Sequence, residues 1–262
     1  MIFFEKKTKF YKATARVDVA GLNVSSLSAL PLDKKLIILK SLTNSLKLLH
    51  EANIVHGDLK LDNILISEPE KNLYVAKLID FDNSYFSGSP PIKTVGDQVY
   101  YSPELGHYNE FPDKMLSSDL QLKSDIFTLG LIFHQYLTGA LPSYDTGKYK
   151  YAYAAVLNNE RLTPIDAVPP KLNALLRQML EKDYSQRPDI VQIMSWLKED
   201  DIIADMPKKT LKSDPPEPNT GSSRLKMPLE LMGEEGARKT KTDPSKKPKS
   251  DGLLSIFKAG KT

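Results

Sequence analysis

The sequence has no cysteine in 262 residues. That excludes a disulfide scaffold and zinc knuckles built on thiolates. It also lacks any apolar run near the roughly 18 residues a membrane helix needs. The nearest approach, Ile126 to Leu137, is interrupted by His134 and Gln135. The opening Met1-Ile2-Phe3-Phe4, followed by Glu5-Lys6-Lys7, has its charge after too short an apolar stretch for a secretory signal. A cytoplasmic location with no membrane span is therefore expected. With hydrophobic residues at 40%, there is enough apolar material for a sizeable core, in one generous domain or two small ones.

Net charge is nearly balanced at +3, but it is unevenly spread. Residues 206–262 carry 13 Lys and Arg against 7 Asp and Glu, which leaves residues 1–205 at −3. The same C-terminal segment holds seven of the 18 prolines and few aliphatics before Leu253-Leu254-Ser255-Ile256-Phe257. It cannot bury enough apolar surface to offset the entropy of ordering it, so a disordered basic tail is expected. Such a tail would be an inert solvated end or a tether to a partner or an anionic surface. No specific nucleic acid partner is expected.

The body starts with two extended runs, Ile2-Phe3-Phe4 and Phe10 to Val17, before Gly21. Pro31 and Asp33 then precede Leu36, Ile37, Leu39, Leu42, Leu46 and Leu49, whose three- and four-residue spacings predict a long buried helix. Two β-branched stretches follow, Ile64 to Ser67 and Leu73 to Ile79, and from Ser124 the texture is helical almost to Asp201. A few strands followed by many helices predicts an α+β fold that is mainly α-helical.

The chemistry concentrates in His56-Gly57-Asp58-Leu59-Lys60-Leu61-Asp62-Asn63, a loop between the long helix and the first of those strands. An Asp, a Lys two positions on and an Asn five positions on suit phosphoryl transfer, which depends on positioning and charge neutralisation. The carboxylate can accept a hydroxyl proton, the ammonium can hold a transferring phosphoryl group, and the amide oxygen can ligate Mg²⁺. Lys77-Leu78-Ile79-Asp80-Phe81-Asp82 then ends an apolar strand on an acid, a second carboxylate of the kind a metal-bridged phosphate requires. Downstream lie Gly96-Asp97-Gln98-Val99-Tyr100-Tyr101-Ser102-Pro103-Glu104, Ser124-Asp125-Ile126-Phe127-Thr128-Leu129-Gly130 and Gln186-Arg187-Pro188-Asp189.

In this order and at these separations, the segments resemble the catalytic large lobe of eukaryotic-type serine/threonine protein kinases, over roughly Val17 to Leu197. The resemblance implies a protein kinase-like fold using ATP and Mg²⁺, with protein Ser/Thr hydroxyls as acceptors. Asp58 would be the catalytic base, Lys60 would contact the γ-phosphate, and Asn63 and Asp80 would bind Mg²⁺. Leu65 would floor the adenine pocket, and Val17 to Gly21, with Val17 and Val19, would form the hinge that reads the adenine edge. By the same resemblance Glu104 would pair with Arg187, Asp125 would hold the catalytic-loop backbone, and His56 would be a packed core histidine.

Four departures stand out. Gly57 occupies the place where many protein kinases carry an Arg that receives a phosphorylated loop residue, so activity is expected not to depend on phosphorylation of Ser87, Ser89 or Thr94. Asp82 replaces the usual Gly, and Asp97 replaces a Thr, which brings a like charge toward Asp58. The 16 residues before Val17 are too few for a small lobe with its glycine-rich loop, so the expected division is 1–20 small-lobe remnant and hinge, 21–205 large lobe and 206–262 tail. On that division the chain alone is expected to be weakly active. The competing expectations are a pseudokinase or scaffold that binds partners through the large lobe and tail, and a small-molecule phosphotransferase of the aminoglycoside or choline kinase kind.

Overall fold

A run of leucines and isoleucines spaced for one helix face organises the fold. In the computed structural model this run is α2, Leu32–Glu51, preceded by the short α1, Val24–Ser28. The structure describes residues 2–6, 9–13, 19–111, 117–165, 168–198 and 202, with the strands at 2–6 and 9–13 described by backbone alone. The expectations for Val17 and for the 206–262 tail fall outside these residues. All described residues belong to one unit of the chain, Met1–Thr210.

Asp33 in the first turn of α2 favours the positive end of the helix dipole. Leu36, Ile38, Leu39, Leu42 and Leu46 are fully buried, and the helix stops where Asn53 takes a left-handed φ of 58°. Leading from it, β3 (Ile54–Val55) pairs antiparallel with β6 (Tyr85–Phe86). Between them lies the hairpin of β4 (Ile64–Glu70) and β5 (Leu73–Leu78), in register Ile64↔Leu78 and Ile66↔Ala76. Two serines of α2 fasten it to this hairpin: Ser45 Oγ donates to the Ala76 carbonyl at 2.8 Å and Ser41 Oγ accepts from Ala76 N–H at 2.9 Å. The first two extended runs form a separate antiparallel pair, β1 (Ile2–Lys6) with β2 (Lys9–Ala13).

The rest is helical: α3 (Pro103–Glu110), α4 (Lys123–Thr138), α5 (Ala152–Leu157), α6 (Pro170–Met179) and α7 (Ile190–Trp196). The helical texture expected from Ser124 to Asp201 is broken by non-helical connections over 139–151 and 158–165. α4 is apolar nearly all round and buries Ile126, Phe127, Leu129, Leu131, Ile132 and Phe133, so it is the central helix. It ends at Gly139, whose φ of 85° lets its N–H reach the Gln135 carbonyl at 2.8 Å. The outcome is the expected α+β architecture, mainly helical with small sheets, and the loop bearing Asp58 runs between β3 and β4 across the N-terminus of α4.

Candidate active site

The loop takes its shape from a buried carboxylate. Asp125, in the first turn of α4 and 3% exposed, accepts from His56 N–H at 2.8 Å, Gly57 N–H at 3.3 Å and His50 Nε2 at 3.1 Å. A charge this deep persists only when its oxygens are satisfied, and here three donors satisfy them. Gly57 makes the turn with φ 77°, and a Cβ there would sit 2.5 Å from the Asn83 carbonyl oxygen. No side chain fits, so the glycine at this position has a steric cause. His56 is fully buried, its ring centroid 5.3 Å from that of Phe81. Its Nε2 has no hydrogen-bond partner among the described residues.

This frame presents Asp58, 7% exposed, with hydrogen bonds to one carboxylate oxygen and, among the described residues, none to the other. Oδ2 accepts from Lys60 Nζ at 2.8 Å, from Asn63 Nδ2 at 3.2 Å and, at the limit of bonding, from Asn83 Nδ2 at 3.5 Å. Asn63 Nδ2 also donates to the Asp58 carbonyl at 2.8 Å, which fixes the amide so that its Oδ1 points away as a free acceptor. Oδ1 of Asp58 lies toward Gly96, where a Cβ would stand 3.1 Å from it. The Lys60 amine is held above its ordinary pKa by the hydrogen bond to Asp58, aided by the charges of Asp58, Asp80 and Asp97 against partial desolvation. Asp97 is therefore a counter-charge to Lys60. It is exposed, and its Oδ1 caps Val99 N–H at 3.0 Å.

Asp80 follows from the end of β5. Asn63 accepts Ile79 N–H at 3.0 Å through its carbonyl, which brings the Asn63 and Asp80 backbones side by side. Asp80 itself is exposed and left-handed, with φ 62°, a conformation costly for most residues and least so for Asn and Asp. The left-handed residue of this motif is thus Asp80 and not Asp82. An oriented amide oxygen and an exposed carboxylate form a donor set that suits Mg²⁺, which takes few protein oxygens and completes its shell with water and phosphate.

Beside this cluster, Val19, Leu22, Leu61, Ile64 and Leu65 line an open cleft of about 400 Å³, with Asp62 at its rim. Ala20 N–H donates to the Ile66 carbonyl at 2.8 Å and ties the segment after Val19 to β4. Val19 is 55% exposed and Leu65 half-buried, so both offer apolar surface to a planar ring. Asp58, Lys60, Asn63 and Asp80 are thus gathered together, Val19 and Leu65 share the adjoining cleft, and Val17 falls outside the described residues.

Below the loop, Arg187 and Glu104 form a buried bidentate pair at 2.6 and 2.9 Å. The remaining guanidinium protons go to the carbonyls of Glu181, Lys123 and Lys182, so all five N–H donors are placed. Lys123 Nζ donates in turn to the Arg187 carbonyl. Sequence reasoning missed Asn83, which touches the Asp58 carboxylate, and Asp62 at the cleft. A polar side chain in a turn is too ordinary for either to have been signalled by pattern.

A carboxylate flanked by lysine and asparagine, with a second carboxylate, thus stands beside an apolar cleft. A family model, "Protein kinase domain", matches residues 17–197, and the chain belongs to the protein kinase family. Among curated relatives it is similar to the serine/threonine-protein kinase STY46 of Arabidopsis thaliana, 31% identical over 58% of this chain and 24% of that protein. It is similar to the human hormonally up-regulated neu tumor-associated kinase at 30% identity, over 62% of this chain and 22% of that protein. It also resembles the "Putative serine/threonine-protein kinase R436" of Acanthamoeba polyphaga mimivirus at 29%, over 70% of this chain and 67% of that protein. The match spans about a quarter of the length of the first two. Among the described residues, no helix is long and apolar enough to cross a membrane.

Proposed function

We propose that the chain transfers the γ-phosphoryl group of ATP to Ser/Thr hydroxyls of protein substrates, with Asp58 as catalytic base. The observation that carries this is the asymmetry of the Asp58 carboxylate: Oδ2 is held by Lys60 and Asn63, while Oδ1 takes no hydrogen bond among the described residues. A substrate hydroxyl that reaches Oδ1 donates its proton there as its oxygen attacks the γ-phosphorus. The bond from that phosphorus to the bridging oxygen breaks, and ADP leaves. Lys60 bridges Asp58 and the transferring group, so positive charge sits where the phosphoryl oxygens gain negative charge.

Asn63 Oδ1 and the Asp80 carboxylate are assigned to Mg²⁺, which when bound supplies charge neutralisation at the β- and γ-phosphates. Leu65 is assigned to the floor under the adenine in the cleft that Val19 also lines, and Val17 to Gly21 to the hinge that reads its edge. The plant and mimivirus relatives, both named as serine/threonine-protein kinases, support Ser/Thr over Tyr as acceptor. The division into 1–20, 21–205 and 206–262, and a tethering role for the basic tail, belong to the same reading.

Transfer from radiolabelled ATP to generic protein substrates, followed by phosphoamino-acid analysis, tests the proposal. Asp58→Asn is expected to lower transfer by about 10²–10⁴-fold, while Mg-ATP still raises Tm. Transfer that survives Asp58→Asn, or phosphate found on Tyr alone, would overturn it. No transfer combined with no Mg-ATP shift would favour a partner-binding scaffold.

A further inference from the structure

Between the exposed Ile92, Lys93 and Val95, one side chain turns inward. Thr94 is 8% exposed, and its Oγ1 donates to Asn109 Oδ1 of α3 at 2.7 Å. One residue earlier on α3, Tyr108 OH donates to the Pro91 carbonyl at 3.1 Å. α3 is a fixed post, since Glu104 in its first turn is gripped by Arg187 and Tyr153 OH donates to Glu110 Oε1 at 2.6 Å near its end. The segment 91–94 is therefore tied by two neutral hydrogen bonds to a helix anchored near both ends.

The tie continues toward the catalytic carboxylate. Thr94, Asn109 and Tyr101 line one open pocket, and the Tyr101 hydroxyl donates to the Gly96 carbonyl at 3.2 Å. Gly96 is packed between the Tyr101 ring and Asp58 Oδ1, which lie 3.0 and 3.1 Å from where its Cβ would stand. Moving Thr94 off Asn109 thus shifts the backbone that packs against the Asp58 carboxylate. An arginine able to receive a phosphate from this segment has no room at position 57.

We propose that Thr94 and Asn109 form a phosphate-independent latch that holds the 91–101 segment in its substrate-receiving shape, with Asn109 a positioning residue for the acceptor site. The proposal rests on the protein kinase reading for its consequence on transfer, but the latch has a readout of its own. Adding a phosphoryl group to Thr94 Oγ1 would remove the proton given to Asn109 and place a dianion against a carbonyl oxygen, so modification there opens the latch.

Two measurements on the full chain test this. Trypsin cleavage after Lys93, followed by mass spectrometry, is expected to speed up roughly three- to tenfold in Thr94→Val and Asn109→Ala, the range for one lost neutral hydrogen bond. Thr94→Ser, which keeps the donor, is expected to restore the wild-type rate. In transfer assays the same two variants raise KM for protein substrate with KM for ATP unchanged, and Thr94→Glu lowers transfer. Unchanged cleavage in Thr94→Val, or higher transfer in Thr94→Glu, would overturn the latch. A wild-type chain without transfer would sink the kinase reading alone, because the cleavage comparison still decides the latch.

Discussion

The surroundings of Arg187 and those of Val19 are opposite solutions to placing one side chain. Arg187 is 2% exposed, and each of its guanidinium protons has a partner, two of them on Glu104 and three on backbone carbonyls. Val19 is 55% exposed, beside an open cleft. The framework around Arg187, Glu104 and Asp125 spends its hydrogen bonds on the chain itself, among the described residues. The cleft around Val19 and Leu65 leaves nearly everything for one. The difference separates residues whose loss is felt in folding from residues whose loss is felt in binding.

The contrast breaks most visibly at the framework. Arg187→Ala leaves Glu104 buried without its partner, and removing one member of a buried pair typically costs about 3–5 kcal/mol. Urea unfolding of the two proteins measures this, and a cost below about 1 kcal/mol would mean that water reaches the pair.

A smaller effect comes from His134, fully buried on α4. Nδ1 donates to the Ala140 carbonyl at 2.6 Å, and Nε2 accepts from Ile165 N–H at 3.0 Å, which requires the neutral ring. Burial pulls its pKa below 6.5, against the opposing pull of the Ala140 carbonyl. The unfolded chain therefore binds this proton at higher pH than the folded one. The stabilisation is complete above the unfolded value and is lost as pH falls from there through the folded value. Melts between pH 8 and 5 are expected to show a steeper acid decline in wild type than in His134→Gln, and equal slopes would remove the assignment.

The smallest stability effect is expected at the cleft. Val19→Ala should shift unfolding free energy by no more than about 0.5 kcal/mol, yet weaken ATP binding by roughly tenfold or less through lost apolar contact. Titration of Mg-ATP against both proteins checks this. A large loss of stability would place Val19 in the framework after all.

Much of this framework was legible in the sequence, because its residues come as short ordered motifs. Asp58, Lys60 and Asn63 lie within six positions, and the spacings of Leu36 to Leu49 gave α2 within a few residues of its observed ends. What was not legible depends on partners far along the chain. The β3 and β6 strands are two residues each and pair across some thirty residues, with no pattern of their own. Asn83 meets Asp58 only because that pairing brings the turn after Asp80 over Gly57. The Thr94 link to Asn109 is likewise a side-chain choice made after the backbone is placed. The helical texture between α4 and α7 misled because apolar residues also line the connections, where Leu141, Leu162 and Val168 pack onto the core.

Gly57 has a consequence for the history of the chain. With the Asn83 carbonyl 2.5 Å from where its Cβ would be, no single substitution can install an arginine there without moving the turn that carries Phe81 and Asn83. That turn in turn packs on His56 and touches Asp58, so displacing it disturbs the base itself. A lineage that has adopted this glycine must change several residues together to leave it. Position 57 thus works as a ratchet, narrowing which forms of control its descendants can acquire.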